Sequence, residues 1–237
     1  MKTFLLSLAS LLLFSAVKAQ TADDIINKHT DAIGGKDKLS QITSCVTEKS
    51  TDVMGNASVT KTSILNGKGY KNEVAFNDQQ IVQVVTDKGG WAINPFGGST
   101  TAAAMSPQEY NSSEDEIYLP DALFNYAQHG AKVALAGQEK VGDINAYKLT
   151  YTNKDGVAST YYIDPATWYI IETVATGNAQ GQATTITTTY SDYKKTDFGV
   201  FVPYTVNIDM GQFTLKNTTK TVEFNKALDA SIFNMPK

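Results

Sequence analysis

The chain has 237 residues, with 20 basic against 24 acidic side chains and a formal charge of −4. That acidic balance argues against a nucleic-acid partner. Every basic residue is lysine, so the bidentate arginine fork that usually clamps phosphate or carboxylate is missing.

The first segment reads as an export signal. Met1-Lys2 gives a positive start, Phe4 to Ala16 is almost unbroken Leu, Ala, Phe and Ser, and Val17-Lys18-Ala19 places small residues before a cut at Gln20. The apolar run is shorter than the ~20 residues a spanning helix needs. No second apolar stretch approaches that length. No cysteine follows the cut, so no lipid anchor is expected. The expected organisation is a signal peptide over 1–19 and one β domain over 20–237, released into the periplasm or secreted. Cleavage removes Lys2 and Lys18, which takes the charge from −4 to −6.

A helix is predicted next. Thr21 and Asp23 can cap it, and Ala22, Ile25, Ile26, His29, Ala32 and Ile33 recur at helical spacing before Gly34-Gly35 stops it. A short turn over Lys36–Leu39 follows. The texture then changes to Thr, Val, Tyr and Ile, with strands predicted at Ile42–Thr51, Ala57–Asn66, Tyr70–Asn77, Gln80–Asp87 and Gly90–Asn94. Separators such as Met54-Gly55-Asn56, Asn77-Asp78 and Lys88-Gly89-Gly90 carry residues that tolerate hairpin turns. Such spacing predicts a meander.

Pro95 to Gly130 breaks the pattern. Pro95 to Thr101 reads as a flexible stretch, and Ser106 can cap a turn through Tyr110. Glu114-Asp115-Glu116 reads as a solvated first turn. Ile117 to Gln128 reads as a second helix, interrupted near Pro120, which would lie across the concave face of the sheet. Strands resume at Lys132–Lys140, Ala146–Thr152, Ala158–Ile163, Tyr169–Thr176, Ala183–Tyr193, Phe201–Met210 and Phe213–Phe224. Twelve strands and two helical segments give a mainly antiparallel β (α+β) chain. Tyr204, Val206, Ile208 and Met210 alternate with Thr205, Asn207 and Asp209, so one side of the sheet faces something apolar. So many strands must curl, split or close.

Catalytic signals are sparse. His29 and His129 sit in separate segments, and no ligand spacing for a metal accompanies them. Cys45 lies in an apolar strand without activating neighbours. No phosphate loop, nucleophile elbow or dinucleotide pattern occurs. Neither cofactor nor enzymatic activity is expected. The aromatic residues say more. Trp91, Ile93, Phe96, Leu119, Leu123, Phe124, Val206 and Ile208 are the candidate lining of a cavity for a hydrophobic ligand.

Several stretches together resemble a known family. Ile25 to Leu39, containing Ala32-Ile33-Gly34-Gly35, then Gly90-Trp91, Tyr162 to Ile170 and Leu228 to Pro236 are similar in order and spacing to exported outer-membrane lipoprotein-sorting proteins. That family resembles the LolA and LolB lipoprotein carriers. The resemblance implies a curved, incompletely closed β barrel with helices covering the hollow. It also implies binding of a lipid or lipoprotein acyl chain there, with envelope proteins as further partners. The arginine that holds the lid of those carriers shut has no counterpart in this chain. The alternative readings are an envelope structural or interaction module with a filled core, and an envelope hydrolase using Glu114, Glu116 or His129.

Overall fold

The structure, a computed structural model, describes residues 20–53, 55–76, 78–179, 182–211 and 214–236. The signal segment 1–19 lies outside the described residues, as do Met54 of the first separator and Asn77 and Phe213 at the ends of expected strands.

Helix α1 (Ala22–Ile33) opens the described chain. Thr21 accepts from Asp24 N while the Asp24 carboxylate accepts from Thr21 N at 2.9 Å, a reciprocal cap that holds two otherwise orphaned donors. Gly34 ends it, and Gly35 N returns to the Thr30 carbonyl at 2.9 Å. The single turn α2 (Lys36–Leu39) leads into the sheet.

Among the described residues, thirteen strands form one antiparallel sheet. In chain order they are β1 (Ser44–Val53), β2 (Asn56–Leu65), β3 (Gly69–Phe76), β4 (Gln79–Thr86), β5 (Gly89–Asn94), β6 (Ser99–Ala104), β7 (Lys132–Val141), β8 (Ile144–Thr152), β9 (Ala158–Ile163), β10 (Ile170–Ala179), β11 (Gln182–Lys195), β12 (Phe201–Asp209) and β13 (Thr214–Phe224). Each pairs with its chain neighbour, except that β1 pairs with β13, which joins two meanders into one ribbon. The edges are β6 and β7, and they do not meet, so the curled sheet stays open.

The additional strand, β6, begins in the stretch Pro95 to Thr101 read as flexible and runs past it to Ala104. Its register slips between Ala92 and Asn94, around a turn in which Asn94 accepts from Gly97 N. The second expected helix, Ile117–Gln128, does not form. Pro120 removes a donor and disfavours helical geometry at Leu119. Asp121 Oδ1 takes the N–H groups of Leu123 and Phe124 at 2.9 and 3.1 Å, and Asn125 is left-handed at φ 58°. The segment between β6 and β7 is instead a strap. It comprises the short helix α3 (Pro107–Ser113), capped by Ser106 and Glu109, and two 3₁₀ turns at Glu114–Ile117 and Tyr126–His129.

Three apolar clusters hold these layers together. Ile25 and Ile26 of α1 pack with Ala122 and Leu123 of the strap on Leu149, Tyr151, Ile163 and Ile170. Ile33, Leu39, Ile42, Cys45, Val200, Leu119 and Phe124 form the second. Val82, Val84, Trp91 and Phe233 form the third, beneath a C-terminal 3₁₀ turn at Ala230–Phe233.

Candidate functional site

Directly opposed residues in an antiparallel pair share a face, so register separates the two sides of the sheet. One ladder runs Val85, Tyr70, Ile64, Cys45, Phe224. It ends beside Leu119 and Phe124 of the strap, so this is the concave side. The other runs Trp91, Val84, Lys71, Ser63, Val46 and lies under the C-terminal tail on the convex side.

The candidate cavity residues therefore separate. Leu119 and Phe124 share one cluster, while Leu123, fully buried, belongs to another. Val206 and Ile208 lie on the concave face, opposite Asn217 and Leu215. Trp91 and Ile93 lie on the convex face, where Trp91 Nε1 donates to the Phe233 carbonyl at 2.9 Å. Phe96 projects outward and is 60% exposed.

The middle of the concave face is polar. Thr47, Lys49 and Thr51 follow Cys45 at period two on β1. Lys49 opposes Thr60 and Thr219, and Thr51 opposes Asn217. Thr51 Oγ1 donates to Asn217 Oδ1 at 2.7 Å and lies 2.6 Å from Thr60 Oγ1, so these buried hydroxyls satisfy one another. Farther round, Tyr190 opposes Val206, with its hydroxyl 3.1 Å from Thr173 Oγ1.

Glu116 of the strap is exposed, while desolvation by the surrounding protein and the neighbouring Asp115 charge raise its carboxyl above the usual range and Lys49 opposes them. Its charge acts on Lys49 of β1, Tyr70 of β3 and Tyr190 of β11, strands spread widely across the sheet. Burial lowers the Lys49 ammonium, Glu116 opposing it, and pushes Tyr190 up to about 12. Among the described residues, neither Lys49 nor Glu116 closes an ion pair or a side-chain hydrogen bond.

The solvated turn expected at Glu114-Asp115-Glu116 holds for one residue of the three: Glu114 is buried and pairs with Lys154, Asp115 is half-buried, and Glu116 is exposed. Fixed contacts aim the strap: Gly67 N donates to the Ile117 carbonyl at 2.8 Å, Leu119 N to Asn66 Oδ1 at 3.0 Å, and Asn153 Nδ2 to the Asn111 carbonyl at 2.8 Å.

His29 ties the strap to α1. Its Nδ1 lies 2.7 Å from the Trp168 carbonyl, which can only accept, so Nδ1 carries a proton. Its Nε2 faces Asp121 Oδ2 at 3.2 Å, a favourable contact when that nitrogen is protonated as well. Burial would lower the His29 pKa, but the hydrogen bond and charge of Asp121 and the Trp168 carbonyl carry it above its ordinary value. Trp168 has a left-handed backbone, φ 63°, unusual for a bulky residue. This contact was not legible in the sequence, where His29 read only as an apolar-face residue. His129 stacks on Tyr118 at 3.6 Å and is half-buried, so burial lowers its pKa. No hydrogen bond joins Glu114, Glu116 and His129 among the described residues. Cys45 is buried, and burial pushes its thiol up to about 12.

A curled sheet left open at its edges, with a strap and a helix over its hollow, defines a class of β-sheet scaffold that surrounds an interior. Solved structures place the chain within that class. A LolA superfamily protein from Nitrosomonas europaea shares 13% identity over 91% of this chain and 98% of its own, with a TM-score of 0.59. A DUF1329 family protein from Desulfovibrio piger matches at 13% identity and a TM-score of 0.58 over the same shares. A putative outer membrane lipoprotein-sorting protein domain from Vibrio parahaemolyticus matches at 12% identity over 88% of this chain and 95% of its own, with a TM-score of 0.58. No family model and no curated protein matches the sequence. The likeness is one of fold: the chain has the LolA-type curved, open barrel. Among the described residues, no helix is long and apolar enough to cross a membrane.

Proposed function

We propose that this chain, exported by its first nineteen residues, is a non-enzymatic carrier of the cell envelope that holds the acyl chain of a lipid or lipoprotein in the hollow. The observation that supports this best is the open, curled sheet with a strap over its concave side, on which Ile208 is left only half-buried. Leu119, Leu123, Phe124, Val206 and Ile208 form the apolar part of the proposed lining. Each methylene taken from water contributes roughly 0.8 kcal/mol, so about ten match the ~8 kcal/mol of micromolar binding, and a chain of about sixteen carbons leaves ~4 kcal/mol against the ordering cost.

Native mass spectrometry of freshly purified protein, together with displacement of 1-anilinonaphthalene-8-sulfonate by palmitate, tests the proposal. The expected result is a co-purified lipid and saturable displacement. A protein that neither carries lipid nor takes up the dye is the envelope module with a filled core. The complete burial of Leu123 and near-complete burial of Phe124 beneath α1 favour that second reading.

A further inference from the structure

A second cavity lies on the convex side of the sheet, under the C-terminal tail. The tail is fastened at both ends. Ser44 Oγ donates to the Lys226 carbonyl at 2.7 Å, and Trp91 Nε1 donates to the Phe233 carbonyl at 2.9 Å. Between these points the chain bridges β1, β2 and β3 and leaves a cavity of about 340 Å³. Val46, Leu228 and Ile232 give it apolar walls, and Ser63, Lys61, Lys71, Lys226 and Glu73 complete the lining. Three lysines against one glutamate leave a net of two positive charges.

Two of these polar groups are unpartnered among the described residues. Ser63 is 3% exposed, opposed by Val46 on β1 and Lys71 on β3, and its hydroxyl has no hydrogen-bond partner. A buried hydroxyl left unpaired is costly. Lys61 follows at period two on β2, opposite Glu48 and Glu73, and closes an ion pair with neither. Glu73 is taken instead by Lys71 at 2.8 Å. Lys226 reaches Glu223 outside the cavity, but both side chains are half-exposed, so that pairing is weak.

A ligand that answers this lining is anionic. Lysine ammonium groups act as point charges, so they favour concentrated charge over the planar carboxylate that an arginine fork would match. A phosphate monoester carries about two negative charges at neutral pH and has acceptor oxygens for a hydroxyl. Ligand sites run from roughly 300 to 1,000 Å³, so a cavity at the small end takes a head group and a few carbons rather than a long chain. We propose that this cavity binds a phosphate monoester, its oxygens on Lys61, Lys226 and the Ser63 hydroxyl and its organic substituent against Val46, Leu228 and Ile232. The site is separate from the hollow and independent of acyl-chain binding there.

Titration calorimetry of the protein with phenyl phosphate, benzoate and inorganic phosphate tests this. Benzoate lacks one charge, and inorganic phosphate lacks the apolar group. The expected result is saturable binding of phenyl phosphate, about tenfold or more tighter than either. Lys61→Met and Ser63→Ala should each weaken it about tenfold. Because the Ser63 hydroxyl has no partner in the protein, Ser63→Ala should keep the native melting temperature, which separates a lost ligand contact from a lost fold. Dihexanoyl phosphatidate and glycerol 3-phosphate then distinguish the source: tighter binding of the first assigns a lipid head group, and of the second a soluble ester. Absence of phenyl phosphate binding overturns the proposal. So does benzoate binding equally well, or phenyl phosphate affinity that both variants leave unchanged.

Discussion

Replacing Asp121 by Asn tests the His29 contact most directly. The amide oxygen can keep the Leu123 and Phe124 N–H groups that Asp121 Oδ1 now holds. What disappears is the negative charge facing Nε2. The two side chains are 3% and 21% exposed, so screening is modest and the interaction is a charge-assisted hydrogen bond in a largely dry site. Such a bond contributes ~1.5–3 kcal/mol. For a chain of this size, at roughly 2–4 °C per kcal/mol, that corresponds to a fall in melting temperature of about 3–12 °C. The pH dependence follows from linkage. The folded-state pKa of His29 lies above its ordinary value of 6.5, so the stabilisation is complete below that value and is lost as pH rises through the folded-state pKa. Urea unfolding followed by tryptophan fluorescence, at about pH 6 and about pH 9, should show the native protein well ahead of the variant at the lower pH and nearly level at the higher. A stability gap of equal size at both values would refute the imidazolium. No gap at either would refute the contact itself.

The remaining predictions address the two faces of the sheet. Trp91→Phe removes the hydrogen bond to the Phe233 carbonyl and should cost ~1 kcal/mol, while 1-anilinonaphthalene-8-sulfonate uptake stays unchanged, because Trp91 lies on the convex side; reduced uptake would overturn the face assignment. Gly69→Ala should loosen the C-terminal turn, since an added Cβ would lie 2.6 Å from the Phe233 ring. Limited proteolysis followed by mass spectrometry should find cleavage after Leu228 accelerated in this variant. Phe124→Ala should cost ~3–5 kcal/mol in urea unfolding. It should also increase dye uptake, because the vacated volume opens onto the hollow; lower uptake would place Phe124 outside the lining. Cys45 should resist a disulfide reagent in the native state and react fully in urea, since burial holds its thiol near 12; rapid native labelling would show that the second apolar cluster opens.

Much of the scaffold was legible because local chemistry and tertiary demands agree. Thr21 and Asp24 cap the helix that the apolar spacing predicts, and the hairpin separators fall between paired strands. The site was less legible, for identifiable reasons. Thr47, Thr51 and Thr60 read as ordinary strand formers, because nothing local reveals that their hydroxyls face a hollow. Three acidic residues in a row read as a solvated turn; only the return of the strap over the sheet buries Glu114 and half-buries Asp115, while Glu116 stays exposed. Expecting one oily inner surface also required knowing which residues face inside, and here the usual guide fails. On β4, the adjacent residues Val84 and Val85 are both fully buried, Val84 beneath the C-terminal tail and Val85 on the side facing the strap. With both faces covered, no apolar–polar alternation survives to mark the inside. The neighbouring Trp91-Ala92-Ile93 is apolar throughout for the same reason. Its face is fixed only by the chain of registers through Val84, Lys71 and Ser63 to Val46, so an assignment resting on hydrophobicity alone cannot place Trp91.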